Sequence, residues 1–253
     1  MLQKAIESFI YAEVSASWSS KGETVKLDPT CAKCVKPVCS PEIKADEQPS
    51  IDGAPSFCPM RLMPQVIAKA VSEYDDPKTK EFARNASVQE FECYENLPDG
   101  RRTKNPRILE LIEFAKKCGY KRLGLAFCAG LSNEARTLTQ ILENKGFEVV
   151  SVRCKVGAVP KEKIGVSPQQ KIRGPGTFEA MCNPITQAEV LNSAKVDLAV
   201  MLGLCIGHDT LFFRYCKVPV TVIAVKDRVT GHNPLAALYL SSSYYARLMA
   251  KSG

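Results

Sequence analysis

Cys31 and Cys34 are separated by two residues, Cys39 follows after four more, and Cys58 precedes a proline in the triplet FCP. A Cys-x-x-Cys turn aims two thiolates at one point, and two further cysteines complete the four-thiolate set that tetrahedral zinc accepts. A closing Cys-Pro after clustered cysteines also recurs in ferredoxin-type ligation, although the gaps here differ from the bacterial pattern. Residues 31–64 hold these four cysteines with six prolines and few apolar neighbours. Such a segment needs something other than a core to fix its shape, so the spacing predicts a metal site on Cys31, Cys34, Cys39 and Cys58. A four-iron cluster is the expected occupant, with zinc as the alternative.

A second group stands further along. Cys128 follows RLGLAF, Cys154 follows EVVSVR, Cys182 opens CNP, and Cys205 sits in GLCIGHD, which also holds one of only two histidines in the chain. The other histidine, His232, lies in a matching glycine-then-polar loop, GHN. Cys93, Cys118 and Cys216 read as small buried hydrophobes.

The elements that must position this second group alternate from Asn105 onward. Asn105-Pro106 caps a helix whose face is Ile108, Leu109, Leu111, Ile112 and Ala115, and Gly119 ends it. Arg122 to Phe127 reads as a strand, Ser132 to Lys145 as a helix, and Glu148 to Arg153 as a strand. After an irregular piece over 155–181, Asn183-Pro184 opens a helix. Then come a strand from Asp197 to Leu202, a short helix from Asp209 to Cys216, a strand from Val220 to Val225, and a last helix from Asn233-Pro234. Short apolar strands separated by helices predict an α/β fold, a Rossmann-like open parallel sheet of about four or more strands. Residues 65–95 read as amphipathic helix broken near Asp75-Asp76-Pro77, and Asn96 to Arg102 as a linker or turn. The expected division is therefore an N-terminal extension with its Cys-rich metal-binding segment over 1–100 and an α/β domain over 101–253.

In an open parallel sheet the crevice outside the carboxyl ends of the strands binds ligands. Cys128, Cys154 and Cys205 all fall at that edge, and Cys182 joins them if its helix start faces the crevice. Asn183 is then a candidate binding residue, and Gly203 and Gly207 would let the backbone pass close to a bulky ligand. His208, His232 and Asp209 are candidate catalytic groups, the histidines as hydrogen-bond donors or proton carriers.

Composition bounds the partners. The net charge is +7, but lysines and arginines are spread along the chain with no basic stripe interleaved with aromatics, so no nucleic-acid role is expected. No apolar run approaches the roughly 20 residues of a membrane span, and no secretion signal is visible. The expected compartment is the reducing cytoplasm, where an odd count of 11 cysteines fits metal or redox chemistry better than a disulfide framework. GxGxxG, Walker A, GxSxG and HExxH sequences do not occur.

The N-terminal cluster ending in FCP, together with LGLAFCAGLSNEA, VVSVRCKVGAVPKEKIG, MCNPITQAEVLN, GLCIGHDTLF and KDRVTGHNPLAALY, resembles an uncharacterised family of bacterial and archaeal proteins named for metal binding on the strength of their cysteines. The resemblance spans about residues 31–245 and leaves the first 30 outside it. It carries over no catalytic residue.

The residues thus point to an iron-sulfur protein with one or two 4Fe-4S clusters, a redox or lyase-type enzyme whose crevice cluster is held by Cys128, Cys154 and Cys205, with Cys182 as a fourth ligand. An electron-transfer partner or a small-molecule substrate follows from that reading. The alternatives are a zinc-binding protein with a thiol active site, on Cys205 or Cys182, and a non-catalytic metal carrier or sensor.

Overall fold

The computed structural model describes residues 28–251. The chain divides into two compact units between Arg84 and Asn85.

In the first unit the Cys31–Lys33 turn precedes irregular chain, then α1 (Pro59–Leu62) and α2 (Pro64–Ser72), each started by a proline whose missing N–H costs nothing in a first turn. A single tight turn, Glu73–Asp75, leads to α3 (Pro77–Glu92), capped by Asp76, whose Oδ2 accepts from the Thr79 N–H at 2.8 Å. The helix break expected near Asp75-Asp76-Pro77 is present.

The second unit begins within α3. Tyr94–Leu97 (β1) and Gly100–Thr103 (β2) pair antiparallel, so the stretch read as a linker is a two-stranded hairpin turned at Pro98-Asp99. Periodicity missed it because seven of its eight strand residues are exposed and none contrasts with an apolar face. Next come α4 (Arg107–Lys117), β3 (Arg122–Phe127), α5 (Ser132–Asn144), β4 (Glu148–Arg153), α6 (Pro184–Ser193), β5 (Leu198–Leu204), α7 (His208–Tyr215), β6 (Val220–Val225) and α8 (Leu235–Tyr239).

The last four strands form one parallel sheet in the order β4-β3-β5-β6. Strand alternation sends Leu123, Leu125, Leu198, Val200 and Leu202 to one face, against Leu111 and Ile112 of α4 and Leu138 and Leu142 of α5. Ala126, Val152, Ala199 and Met201 go to the other face, against Ala188 and Leu191 of α6 and Phe212 of α7. Both faces are covered, which is why β5 is buried at every residue and reads as a continuous apolar run. Among the described residues no helix is long and apolar enough to cross a membrane.

Two features of this sheet decide where the cysteines go. The chain leaves β3 toward β4, then crosses back over β3 to β5 and continues outward to β6, so the winding reverses between β3 and β5. In addition, Gly203 adopts φ +69° at an irregularity in the β5–β6 pairing, and Leu204 packs in the cluster that holds Met201. A Cβ on Gly203 would lie 2.1 Å from Leu131 Cδ1. The space at this glycine is filled by a leucine of the same chain, which accounts for it without a ligand.

Candidate functional site

Two cysteines extend the sheet by one residue each. The Cys128 N–H donates to Leu202 O at 3.0 Å and the Cys154 N–H to Phe127 O at 2.9 Å, so both sulfurs emerge at the carboxyl edge, Cys128 at the point where the winding reverses. Cys182 arrives from the far end of the 155–181 excursion. The Asn183 N–H donates to Cys154 O at 2.7 Å and lays the two backbones side by side. The excursion is itself cross-tied by the Pro160–Ala180 bridge, a Lys161–Glu179 ion pair at 2.7 Å and a Lys171–Glu162 pair at 2.7 Å. Cys182 therefore sits on a braced loop.

Asn183 caps α6 through Oδ1, which accepts the Thr186 N–H at 3.2 Å, while its Nδ2 donates to Val156 O at 3.4 Å. One turn further, fully buried Gln187 donates from Nε2 to Phe127 O at 3.2 Å and to Val152 O at 2.7 Å, tying together the ends of β3 and β4 from which Cys128 and Cys154 emerge. These residues position the sulfurs.

The sulfurs then interact directly. Cys154 packs with Cys128 and Cys182, and the two sulfurs beside it hold it as a neutral thiol, its pKa well above the ordinary 9.0, with one S–H proton to share between them. Receiving its hydrogen bond lowers Cys128 to about 5, helped by the Gly130 backbone N–H and Lys226. Cys182 falls to about 4 through the same Cys154 bond and through His208, with Lys155 adding its charge. His208 is raised in turn by the bond to Cys182. Its Nδ1 is buried with no hydrogen-bond partner among the described residues. The Ala129 N–H also donates to Cys154 Sγ, at 3.2 Å. The result is thiolate, thiol, thiolate, with cations behind the two charged members.

This arrangement makes stability depend on pH in a determined direction. The folded pKa values of Cys128 and Cys182 lie below the unfolded value, so their contribution is fully present above about pH 9 and is lost as pH falls toward about 5 and 4. Cys154 works oppositely, because its folded pKa is raised and stability falls once the unfolded thiol ionises above about pH 9. Denaturant midpoints of the reduced protein should rise from pH 5 to pH 8. They should rise less in Cys182→Ser, which lacks the thiol with the lower of the two pKa values.

The other candidates make contacts of their own. Cys205 follows β5 directly and pairs with Arg228, whose Nη2 donates to its sulfur at 3.2 Å and whose charge also reaches Cys128 and Cys182. His232, at φ +69°, is tied into its own loop: its N–H donates to Asp227 O at 2.9 Å and its Nδ1 accepts the Asp227 N–H at 3.1 Å. Asp209 Oδ1 accepts the Thr210 N–H at 2.7 Å in the first turn of α7, and Gly207 precedes that helix at φ +82° with open space around it. Cys93 is buried and Cys118 and Cys216 partly so, as small hydrophobes would be. Lys155, Lys226 and Arg228 escaped the sequence reading. The signal available was a basic residue just after Cys154 and two in the KDR that follows β6.

In the first unit the Cys34 N–H donates to Cys31 O at 2.9 Å, forming the Cys-x-x-Cys turn, with Cys31 and Cys39 exposed and Cys34 and Cys58 partly covered. Among the described residues no group of three or more His, Cys, Asp or Glu side chains is arranged to hold a metal ion.

The fold and these residues define a doubly wound α/β protein with a cysteine crevice at its switch point. The chain belongs to the family described as protein of unknown function (DUF1847), whose model matches residues 58–223. That span includes Cys58 and all the crevice cysteines. The uncharacterized protein MJ0455 of Methanocaldococcus jannaschii is 42% identical over 182 residues, covering 72% of this chain and 86% of that protein.

Proposed function

We propose that the crevice is a thiol redox centre, in which Cys182 is the nucleophile, Cys154 the resolving thiol and His208 the proton carrier. The observation that carries this reading is the meeting of Cys128, Cys154 and Cys182 at the carboxyl edge, where the Asn183 N–H on Cys154 O lays the Cys154 and Cys182 backbones side by side and Lys226 stands beside Cys128. Cys182 is the more accessible thiolate and the one in contact with His208, whereas Cys128 is buried.

The steps balance as a two-electron exchange. The Cys182 thiolate attacks one sulfur of a disulfide substrate, the substrate S–S bond breaks, and the departing sulfur takes the electron pair and a proton from His208. Cys154 then attacks Cys182, its proton passing by way of the Cys128 thiolate to the departing second substrate sulfur, which also takes the electron pair of the broken mixed disulfide. A Cys154–Cys182 disulfide forms and the second substrate thiol is released. The substrate disulfide is reduced and the two cysteines are oxidised; a thiol reductant from outside the protein closes the cycle. The side-by-side backbones at Cys154 and Cys182 suit the short Cα separation of a disulfide, about 4.4–6.8 Å.

A second reading, an iron-sulfur cluster or zinc in the crevice and at Cys31, Cys34, Cys39 and Cys58, rests on a different observation: the crevice cysteines reach one sheet edge from successive loops. It requires Cys154 to ionise. The test is anaerobic purification with iron, zinc and sulfide analysis, followed by stoichiometric oxidation with dipyridyl disulfide and peptide mapping. The redox reading expects a Cys154–Cys182 disulfide in metal-free, folded protein. Stoichiometric crevice metal lost in Cys154→Ser, with no such disulfide, would replace it with the metal reading.

A further inference from the structure

Three cations border the thiol crevice, each on a different part of its rim. Lys155 directly follows Cys154, and its Nζ donates to Ala180 O at 2.6 Å. Lys226 follows β6, with its Nζ 3.5 Å from where a Gly130 Cβ would stand, and the Cys128 sulfur lies 3.9 Å from the same point. Arg228 contacts Cys205, and its field reaches the sulfurs of Cys128 and Cys182. None of the three joins the ion pairs with carboxylates among the described residues. The nearby carboxylates are engaged elsewhere: Asp227 Oδ1 accepts the N–H groups of Val229 and Thr230, and Asp209 Oδ1 that of Thr210.

Arg228 and Lys226 face the sulfurs, Arg228 with Nη2 on Cys205 Sγ at 3.2 Å and Lys226 at the Gly130 turn beside Cys128. Three cations around one site, none paired with a carboxylate among the described residues, make the rim attractive to negative charge. An anionic group on the bound molecule answers that charge. Arg228 is suited to this part, because it is exposed and its planar fork grips carboxylate or phosphate oxygens in pairs.

We infer that the substrate of the thiol centre is an anionic disulfide, one bearing carboxylate or phosphate groups, with Arg228 as the residue that selects it. This inference rests on the thiol redox reading of the same site. The probes are dithiobis(nitrobenzoate), which carries two carboxylates, and dipyridyl disulfide, which is neutral, each at low ionic strength against wild type and Arg228→Gln. The ratio of the two rates within each protein is the quantity compared, since it cancels any change in thiol reactivity.

A cleft lined by one sign of charge raises association rates by about 10-fold to 1000-fold. Removing one of three cations should therefore lower the anionic-to-neutral ratio by about 2-fold to 10-fold in Arg228→Gln, and added salt should lower the wild-type ratio more than that of the variant. Equal ratios in the two proteins, while both reagents react fast at Cys182, would overturn the inference and leave the redox reading standing. Slow reaction of both reagents with wild type would remove the redox reading and this inference with it.

Discussion

Cys182→Ser should slow reaction with dipyridyl disulfide by about 30-fold at pH 5. An ordinary thiol with a pKa of about 8.5 is only about 0.03% thiolate at that pH, whereas Cys182, at about 4, is almost entirely thiolate. The roughly 3000-fold gain in thiolate is partly offset, because nucleophilicity falls with pKa along a Brønsted slope of about 0.4–0.5, which returns about 100-fold over 4.5 units. The same calculation gives only about threefold at pH 6, so the acid measurement is the decisive one. An unchanged rate at pH 5 in folded Cys182→Ser would remove Cys182 as the nucleophile. If Cys128→Ser alone produced the loss, the two thiolates would exchange roles.

Cys154→Ala should change both neighbours at once. A hydrogen bond to a charged group is worth about 1.5–3 kcal/mol, or about one to two pH units. The ultraviolet thiolate titration of the variant should therefore shift upward by about that much at both Cys128 and Cys182, although neither is mutated. The variant should also stop after the first chemical step and retain one substrate thiol as a mixed disulfide on Cys182. Cys154→Ser keeps a donor, so it should recover much of the titration shift while still failing to resolve the adduct. A structural role for Cys154 would not separate the two variants in this way. Unshifted thiolate midpoints in Cys154→Ala would mean that the three sulfurs do not form a hydrogen-bonded row.

Much of the scaffold was legible along the chain. The strands at 122–127, 148–153 and 220–225 are apolar runs bounded by glycines, prolines and charged residues, and the structure places them where that pattern puts them. Burial of both faces leaves little else that such runs can become. Cys128 and Cys154 follow two of those strands, so their place at the carboxyl edge could be read without coordinates.

The membership of the site could not. The apolar pattern ended the third parallel strand at Leu202, but the strand continues to Leu204 through the kink at Gly203, which Leu131 packs against. That kink puts Cys205 directly at the strand end and beside Arg228, a residue 23 positions later. Cys182 reaches the same edge because the 155–181 excursion folds back through internal bridges and ion pairs, a closure that no local propensity encodes.

The residues alone thus determined an α/β chain with cysteines at the ligand-binding edge of its sheet, because helix and strand periodicities and turn residues act over a few neighbouring positions. Only the tertiary structure decided which sulfurs meet, which one keeps its proton, and which cations stand behind the others. Those properties depend on distances between loops far apart in sequence, and charge stabilisation and hydrogen bonding between thiols fall away within a few ångströms.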